Sequence, residues 1–336
     1  MKIYPRLLLL SLLLGVVVVG MGAYTRLTEA GLGCPDWPGC YGSLTVPSTD
    51  AQVSKATRLY PDMPLEVDKA WNEMIHRYLA ASLGVMILVV FIAAWRLKLP
   101  LTGPASLLLL VIFQAMLGMW TVTMNLNPLI VMGHLLGGFA LVSLLWWQWL
   151  CYRKAWYGAM PNLGRHLKYL GVIATACVVG QIALGGWTSA NYAAVVCTSL
   201  PFCQVDWIDM YDATAFYLLQ PEHETYQFGV LDYAQRVTIH VTHRLGAIVT
   251  TIVVLSYLIR LARSGVAKQY WSIPALMLCL QILLGINNVV SMLPLANAVA
   301  HNVVGLGLLL SMLYSVQAVT LAQRAFHSHG GQYGKI

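Results

Sequence analysis

At 336 residues, with 58% hydrophobic and only 10% charged side chains and a mean hydropathy of +0.68, this chain has too few polar groups to cover a soluble globule. The composition predicts an integral membrane protein, long enough for eight helices of roughly 20 residues across a hydrocarbon layer of ~30 Å. The net charge of +7 does not point to nucleic acid, because no basic block with interleaved aromatics occurs and the basic residues have a topological explanation.

Apolar runs occupy residues 7–23, 74–95, 101–121, 129–150, 167–187, 237–259, 270–291 and 296–320. Each is read as a transmembrane helix, giving an all-α fold of eight spans. The first run follows Lys2 and Arg6 and has the outline of a cleavable leader. Its end, Gly20-Met21-Gly22-Ala23-Tyr24-Thr25, resembles Leu184-Gly185-Gly186-Trp187-Thr188 deep inside the chain, so it is expected to be retained. Lys2, Arg6, Arg96, Lys98, Arg153, Lys154, Arg165, Lys168, Arg260, Arg263, Lys268, Arg324 and Lys335 fall on one side of the spans. Every Asp and Glu falls on the other, with Arg26, Lys55, Arg58, Lys69, Arg77, Arg236 and Arg244. This asymmetry puts both termini in the cytoplasm and the long loops 24–70 and 188–236 outside a bacterial inner membrane.

An internal repeat dominates the pattern. His76 and His134 are 58 positions apart, as are His243 and His301, and one offset of 167 superimposes the two pairs. Gln114 to Gly118 and His134 to Gly138 match Gln281 to Gly285 and His301 to Gly305 at the same offset. Four spans restore the starting orientation, so the halves are related by an axis near the membrane normal. The expected body is two pseudo-symmetric four-helix bundles, 1–150 and 167–336, joined by a cytoplasmic linker at 151–166. A histidine in a membrane span is costly and marks a functional site, and four in register strengthen that reading.

His76 and His134 are expected at similar depth near the outer face, where they face each other, and His243 and His301 do the same in the second bundle. Glycines such as Gly84, Gly137, Gly138, Gly246 and Gly305 are expected to open space beside them. Paired imidazoles on helices running the same way suit axial ligation of a haem iron. A closed zinc site wants four ligands, and no thiol lies near. The plain alternative is interhelical hydrogen bonding, which is also how Gln114, Gln181 and Gln281 are read. His166, His223, His327 and His329 lie in loops or the tail and receive no function.

Where the second half has His240, the first has Glu73, three residues before its histidine. Glu73 either caps its helix or manages a proton or a developing positive charge in the reactive half. Arg77 and Arg244 are candidate partners for haem propionates, since a guanidinium forks onto carboxylates, or else interfacial anchors. Cys34 and Cys40, and Cys197 and Cys203, form two Cys-x5-Cys pairs in outer loops where disulfides are allowed. The second pair reads as a staple; the first is equally open to a redox role. Cys151, Cys177 and Cys279 read as apolar filler. The sequence assigns no contact to the acidic, aromatic loop 204–236.

Together the Glu-x-x-His-Arg of Glu73 to Arg77, His134, the His243-Arg244 pair, His301, the first Cys pair and eight spans in two repeats resemble the haem A synthase family of cytochrome oxidase assembly. The resemblance covers nearly the whole chain. It implies oxidation of the C8 methyl of haem O to a formyl group in successive steps, yielding haem A. It also implies haem b on His243 and His301 as cofactor and substrate haem O facing His76 and His134. Glu73 would have a catalytic role, and Cys34 with Cys40 would take part in electron or substrate handling. Membrane lipid, the upstream haem O synthase and an electron donor are the implied partners. The rival from another class is a di-haem b-type electron-transfer cytochrome, and a haem exporter is a third reading. Oligomeric state is left open.

Overall fold

The computed structural model describes residues 3–152, 163–201 and 203–330, with side chains described as far as residue 321. Most of the expected linker 151–166, together with Lys2, Lys335 and the side chains of Arg324, His327 and His329, lies outside them. Nine α-helices are present among the described residues: α1 Ile3–Leu27, α2 Asp50–Leu59, α3 Val67–Arg96, α4 Thr102–Thr123, α5 Pro128–Tyr152, α6 Arg165–Ala190, α7 Tyr233–Arg263, α8 Gln269–Val290 and α9 Leu295–Gly330. All but α2 are long and apolar enough to cross a membrane, so the protein is an all-α, multi-pass membrane protein.

α2 was not foreseen. It is a short polar helix in the first loop, started by a reciprocal capping box between Thr49 and Gln52, whose hydrogen-bond pairing satisfies the first-turn amides. α7 starts the same way, with Asp232 and Gln235. Both α3 and α7 begin earlier than the apolar runs do, because polar first turns extend them into the loops.

Within each half the helices pack in a ring. α1 lies against α3 and α5, and α4 against α3 and α5; α6 lies against α7 and α9, and α8 against α7 and α9. The halves meet where α1 and α5 touch α9 and α5 touches α6, and Trp146 Nε1 donates to the Leu310 carbonyl at 2.9 Å across that seam. α9 is consequently the most enclosed span. In lipid, close packing and interhelical hydrogen bonds, rather than water exclusion, hold such helices together.

The repeat is present in the backbone as well. Left-handed residues end corresponding helices: Lys98 and Gly265 after α3 and α7, and Asn125 with Leu126 and Met292 with Leu293 after α4 and α8. The second long loop is anchored at both depths. The Ala215 carbonyl accepts from Trp187 Nε1 at 2.9 Å, Asp212 N–H donates to Thr238 Oγ1 at 3.0 Å, and Asn125 Nδ2 donates to the Glu224 carbonyl at 2.8 Å. The loop thus bridges its own half and the α4–α5 turn of the other half.

Candidate functional site

His76 on α3 and His134 on α5 meet inside the first ring, their centroids 6.5 Å apart and their planes at 88°. Metal–imidazole bonds are about 2.0–2.1 Å, so two of them plus the two ring radii match that separation. Each ring packs with its Cε1 nearest a glycine of a neighbouring helix. A Cβ at Gly22 would come within 3.0 Å of His76 Cε1, and one at Gly118 within 3.3 Å of His134 Cε1. Both Nδ1 atoms are buried without a partner. A buried polar atom left unpaired is costly, and an imidazole with an unpartnered ring nitrogen is a competent metal donor.

The second ring repeats the cradle with Gly185 and Gly285, where a Cβ would come within 3.1 Å of His243 and of His301 Cε1. It adds two amides. Gln181 Nε2 donates to the His243 carbonyl at 2.9 Å and lies 3.0 Å from Nδ1; Gln281 Nε2 lies 3.2 Å from His301 Nε2. The glycines expected beside the histidines do something else. Gly137, Gly246 and Gly305 accommodate the side chains of Gln114, Gln181 and Gln281, and Gly84 faces nothing within 4 Å. The reason is geometric: glycines one turn along the same helix make room for a glutamine of the adjacent helix, while the ring itself is backed by a glycine that the adjacent helix supplies. Gln181 and Gln281 are therefore more than generic interhelical links.

Glu73 does not cap its helix. α3 begins at Val67, which puts Glu73 in its second turn, 4% exposed. Its Oε2 accepts the Cys34 N–H at 2.8 Å and its Oε1 pairs with Arg77. The Cys34–Cys40 disulfide loop comes this close because Gly33 lies directly on the α3 backbone, where a Cβ would be 2.6 Å from the Lys69 carbonyl. Arg77 Nη1 donates to the Asp36 carbonyl at 2.9 Å and also to those of Pro38 and Gly39. Arg244 repeats this on the second disulfide loop, Cys197–Cys203, donating to Ser199 and Cys197 carbonyls at 2.8 and 2.7 Å. Each His-Arg pair thus sends the imidazole inward and clamps a disulfide loop above it. His240 is buried and its Nδ1 lies 2.8 Å from the Ala193 carbonyl. That contact separates it from His243, which alone matches His76 in the cradle.

Other sequence expectations sort plainly. His166 and His223 are exposed, and His223 packs on Tyr226. Cys151 and Cys279 lie on the surface rather than filling the interior.

The sequence model of the COX15-CtaA family, described as cytochrome oxidase assembly protein, matches residues 5–313. The chain belongs to this family. It is 47% identical over 312 residues to the Heme A synthase of Shewanella oneidensis, covering 92% of this chain and 94% of the relative. The Heme A synthases of Sphingopyxis alaskensis and Rhodopseudomonas palustris are 28% and 27% identical, with 92% and 90% of this chain and 88% and 87% of theirs covered. In this COX15-CtaA member the first ring fits a haem, with two facing imidazoles, unpartnered buried ring nitrogens and a glycine beside each; the second ring repeats the glycines beside His243 and His301, and His301 Nδ1 is likewise unpartnered.

Reading along the sequence missed the cross-helix contacts, Gly22, Gly118, Gly185 and Gly285 among them, and it missed Arg26. A signal existed for the last: Arg26 is four residues, one helical turn, beyond Gly22 on the same face.

Proposed function

We propose that this chain is a haem A synthase, oxidising the C8 methyl of haem O to a formyl group, with haem O held by the first half and haem b resident in the second. The observation that carries the reading is an asymmetry between two matching cradles. Above His76 and His134 stands the carboxylate of Glu73, tied to Arg77 and the Cys34 amide; the corresponding His240 is turned to a loop carbonyl. Both imidazoles of the second half, by contrast, are held by glutamine amides.

Converting a methyl to a formyl group with water as oxygen source releases four electrons and four protons. His243 and His301 would hold haem b, which when bound supplies a one-electron redox centre. His76 and His134 would hold the iron of haem O within the first ring. Glu73 Oε2 takes a proton from the methyl carbon or offsets positive charge developing there. Arg77 and the Cys34 amide hold that carboxylate in place, and the Cys34–Cys40 disulfide shapes the loop that carries the amide. Arg244 keeps a buried, unpartnered Nε–H beyond its loop contacts, which supports pairing with a propionate. Arg77 has both terminal nitrogens engaged by the loop and Glu73, leaving its Nε edge for the same use.

The roles of residues 1–150 and 167–336 follow from this assignment. So does the orientation: the basic ends of the spans in the cytoplasm of a bacterial inner membrane, and the disulfide loops outside, where haem O would arrive from its synthase and the four released electrons would pass one at a time to an electron-accepting redox partner. The test is the haem content of protein purified from cells that do and do not make haem O. Haem b under both conditions, with haem A or its hydroxylated precursor only when haem O is made, is expected. Two equivalents of unmodified haem b under both conditions would overturn the reading in favour of a di-haem electron-transfer cytochrome.

A further inference from the structure

At the outer end of the seam between the halves, Arg26 of α1 crosses to the end of α6. Its Nη2 donates to the Ser189 carbonyl at 2.7 Å, and its guanidinium lies 4.1 Å over the ring of Tyr192. Tyr192 is held there by a left-handed backbone, φ 53°. Two donors in this contact face nothing: Arg26 Nε and the Tyr192 hydroxyl are both buried without a hydrogen-bond partner. No carboxylate answers the charge either, since among the described residues the ion pairs are Lys69 with Glu66 and Arg77 with Glu73.

An unpaired guanidinium N–H and an unpaired phenol, both out of solvent and belonging to two side chains in contact, are donors that an anion can satisfy. Depth identifies the anion. Arg26 is one turn outward from Gly22, on which His76 lies, and Tyr192 follows Gly185, on which His243 lies. An acidic group carried on the rim of a macrocycle held at either histidine pair would arrive at this height. Arg77 has its terminal nitrogens on loop carbonyls and Glu73 and Arg244 has both on loop carbonyls, whereas Arg26 gives only one to the protein.

We propose that Arg26 and Tyr192 form a carboxylate subsite at the seam that receives a haem propionate. The subsite rests on the haem reading above. It makes the seam between the halves part of ligand recognition, with one cation of the first half held in place by the second.

The test uses full-length protein purified from haem-deficient cells and titrated with haem and with haem dimethyl ester, followed by the bis-imidazole absorption bands. The ester carries neutral methyl esters in place of both propionate charges. The unmodified protein is expected to bind haem at least about tenfold more tightly than the ester. Arg26→Gln should weaken haem about tenfold to a hundredfold and leave the ester nearly unchanged, and Tyr192→Phe, which keeps the cation, should show a smaller loss of the same kind. Equal discrimination in Arg26→Gln and the unmodified protein would overturn the subsite. So would a parallel loss of both ligands, since that marks Arg26 as a packing residue only. Absence of bis-imidazole bands in the unmodified protein with either ligand, or bands that persist unchanged in both His76→Ala and His243→Ala, would instead overturn the haem reading, and the subsite with it.

Discussion

Glu73→Gln separates two jobs that the structure gives to one carboxylate. The amide keeps the size and can still accept the Cys34 N–H with its oxygen, but it turns an NH2 toward Arg77 and cancels the ion pair. Removing one partner of a buried ion pair costs about 3–5 kcal/mol when the other is left bare. Arg77 is not left bare, because three loop carbonyls remain on Nη1. The expected loss is therefore that of a single charged hydrogen bond, about 1.5–3 kcal/mol. It should be read from unfolding in detergent and checked by a double-mutant cycle with Arg77→Gln. Turnover of haem O should fall about 10²–10⁴-fold, the range for a lost general acid or base, while the haem b content of the second half stays intact. Full turnover with reduced stability would reduce Glu73 to a loop anchor. Unchanged stability together with a coupling energy near zero would refute the network itself.

Arg244→Gln should loosen the Cys197–Cys203 loop by about 1.5–3 kcal/mol, seen as faster amide exchange across residues 197–203 with the disulfide still formed. Valine at Gly185 or Gly285 must occupy the volume of an imidazole that already sits at contact distance, with overpacking of about 1–3 kcal/mol; haem b content should collapse. Valine at Gly22 or Gly118 should leave haem b in place and abolish haem A formation, and haem extraction followed by chromatography distinguishes the two patterns. Asp212 is half-buried, and the hydroxyl and amide of Thr214 hold its carboxyl below the usual range. A depressed folded value means that its contribution is complete above the unfolded value of about 3.9 and is lost as pH falls through the lower folded one. Order in residues 210–216 should be flat from neutral pH to about pH 4 and fall below it, and Asp212→Asn should remove that dependence in amide exchange corrected for intrinsic rate.

Much of this molecule is legible in one dimension. Eight apolar runs, the 167-residue offset and the register of His76, His134, His243 and His301 are properties of single helices, and the period of a helix tells which residues share its face. The membrane sharpens the reading, because a spanning segment must satisfy its backbone internally and so is a helix. Where a helix starts is less legible: α3 and α7 begin in polar turns that hydropathy does not register, and this moved Glu73 from a cap position to a buried one.

The partners of those residues were decided only by the tertiary structure. Which glycine backs an imidazole depends on how two helices cross, so Gly22, Gly118, Gly185 and Gly285 displaced the same-helix glycines that spacing had suggested. Arg77 and Arg244 looked like free cations near an interface, but two disulfide loops fold over them and supply carbonyls from residues 38 to 47 positions away. Arg26 had no visible role until α6 brought Ser189 and Tyr192 to it across 163 residues of chain. Helical periodicity carries the direction of a side chain about its own axis; the identity of what it meets is set by interhelical packing and loop closure, which no local pattern encodes.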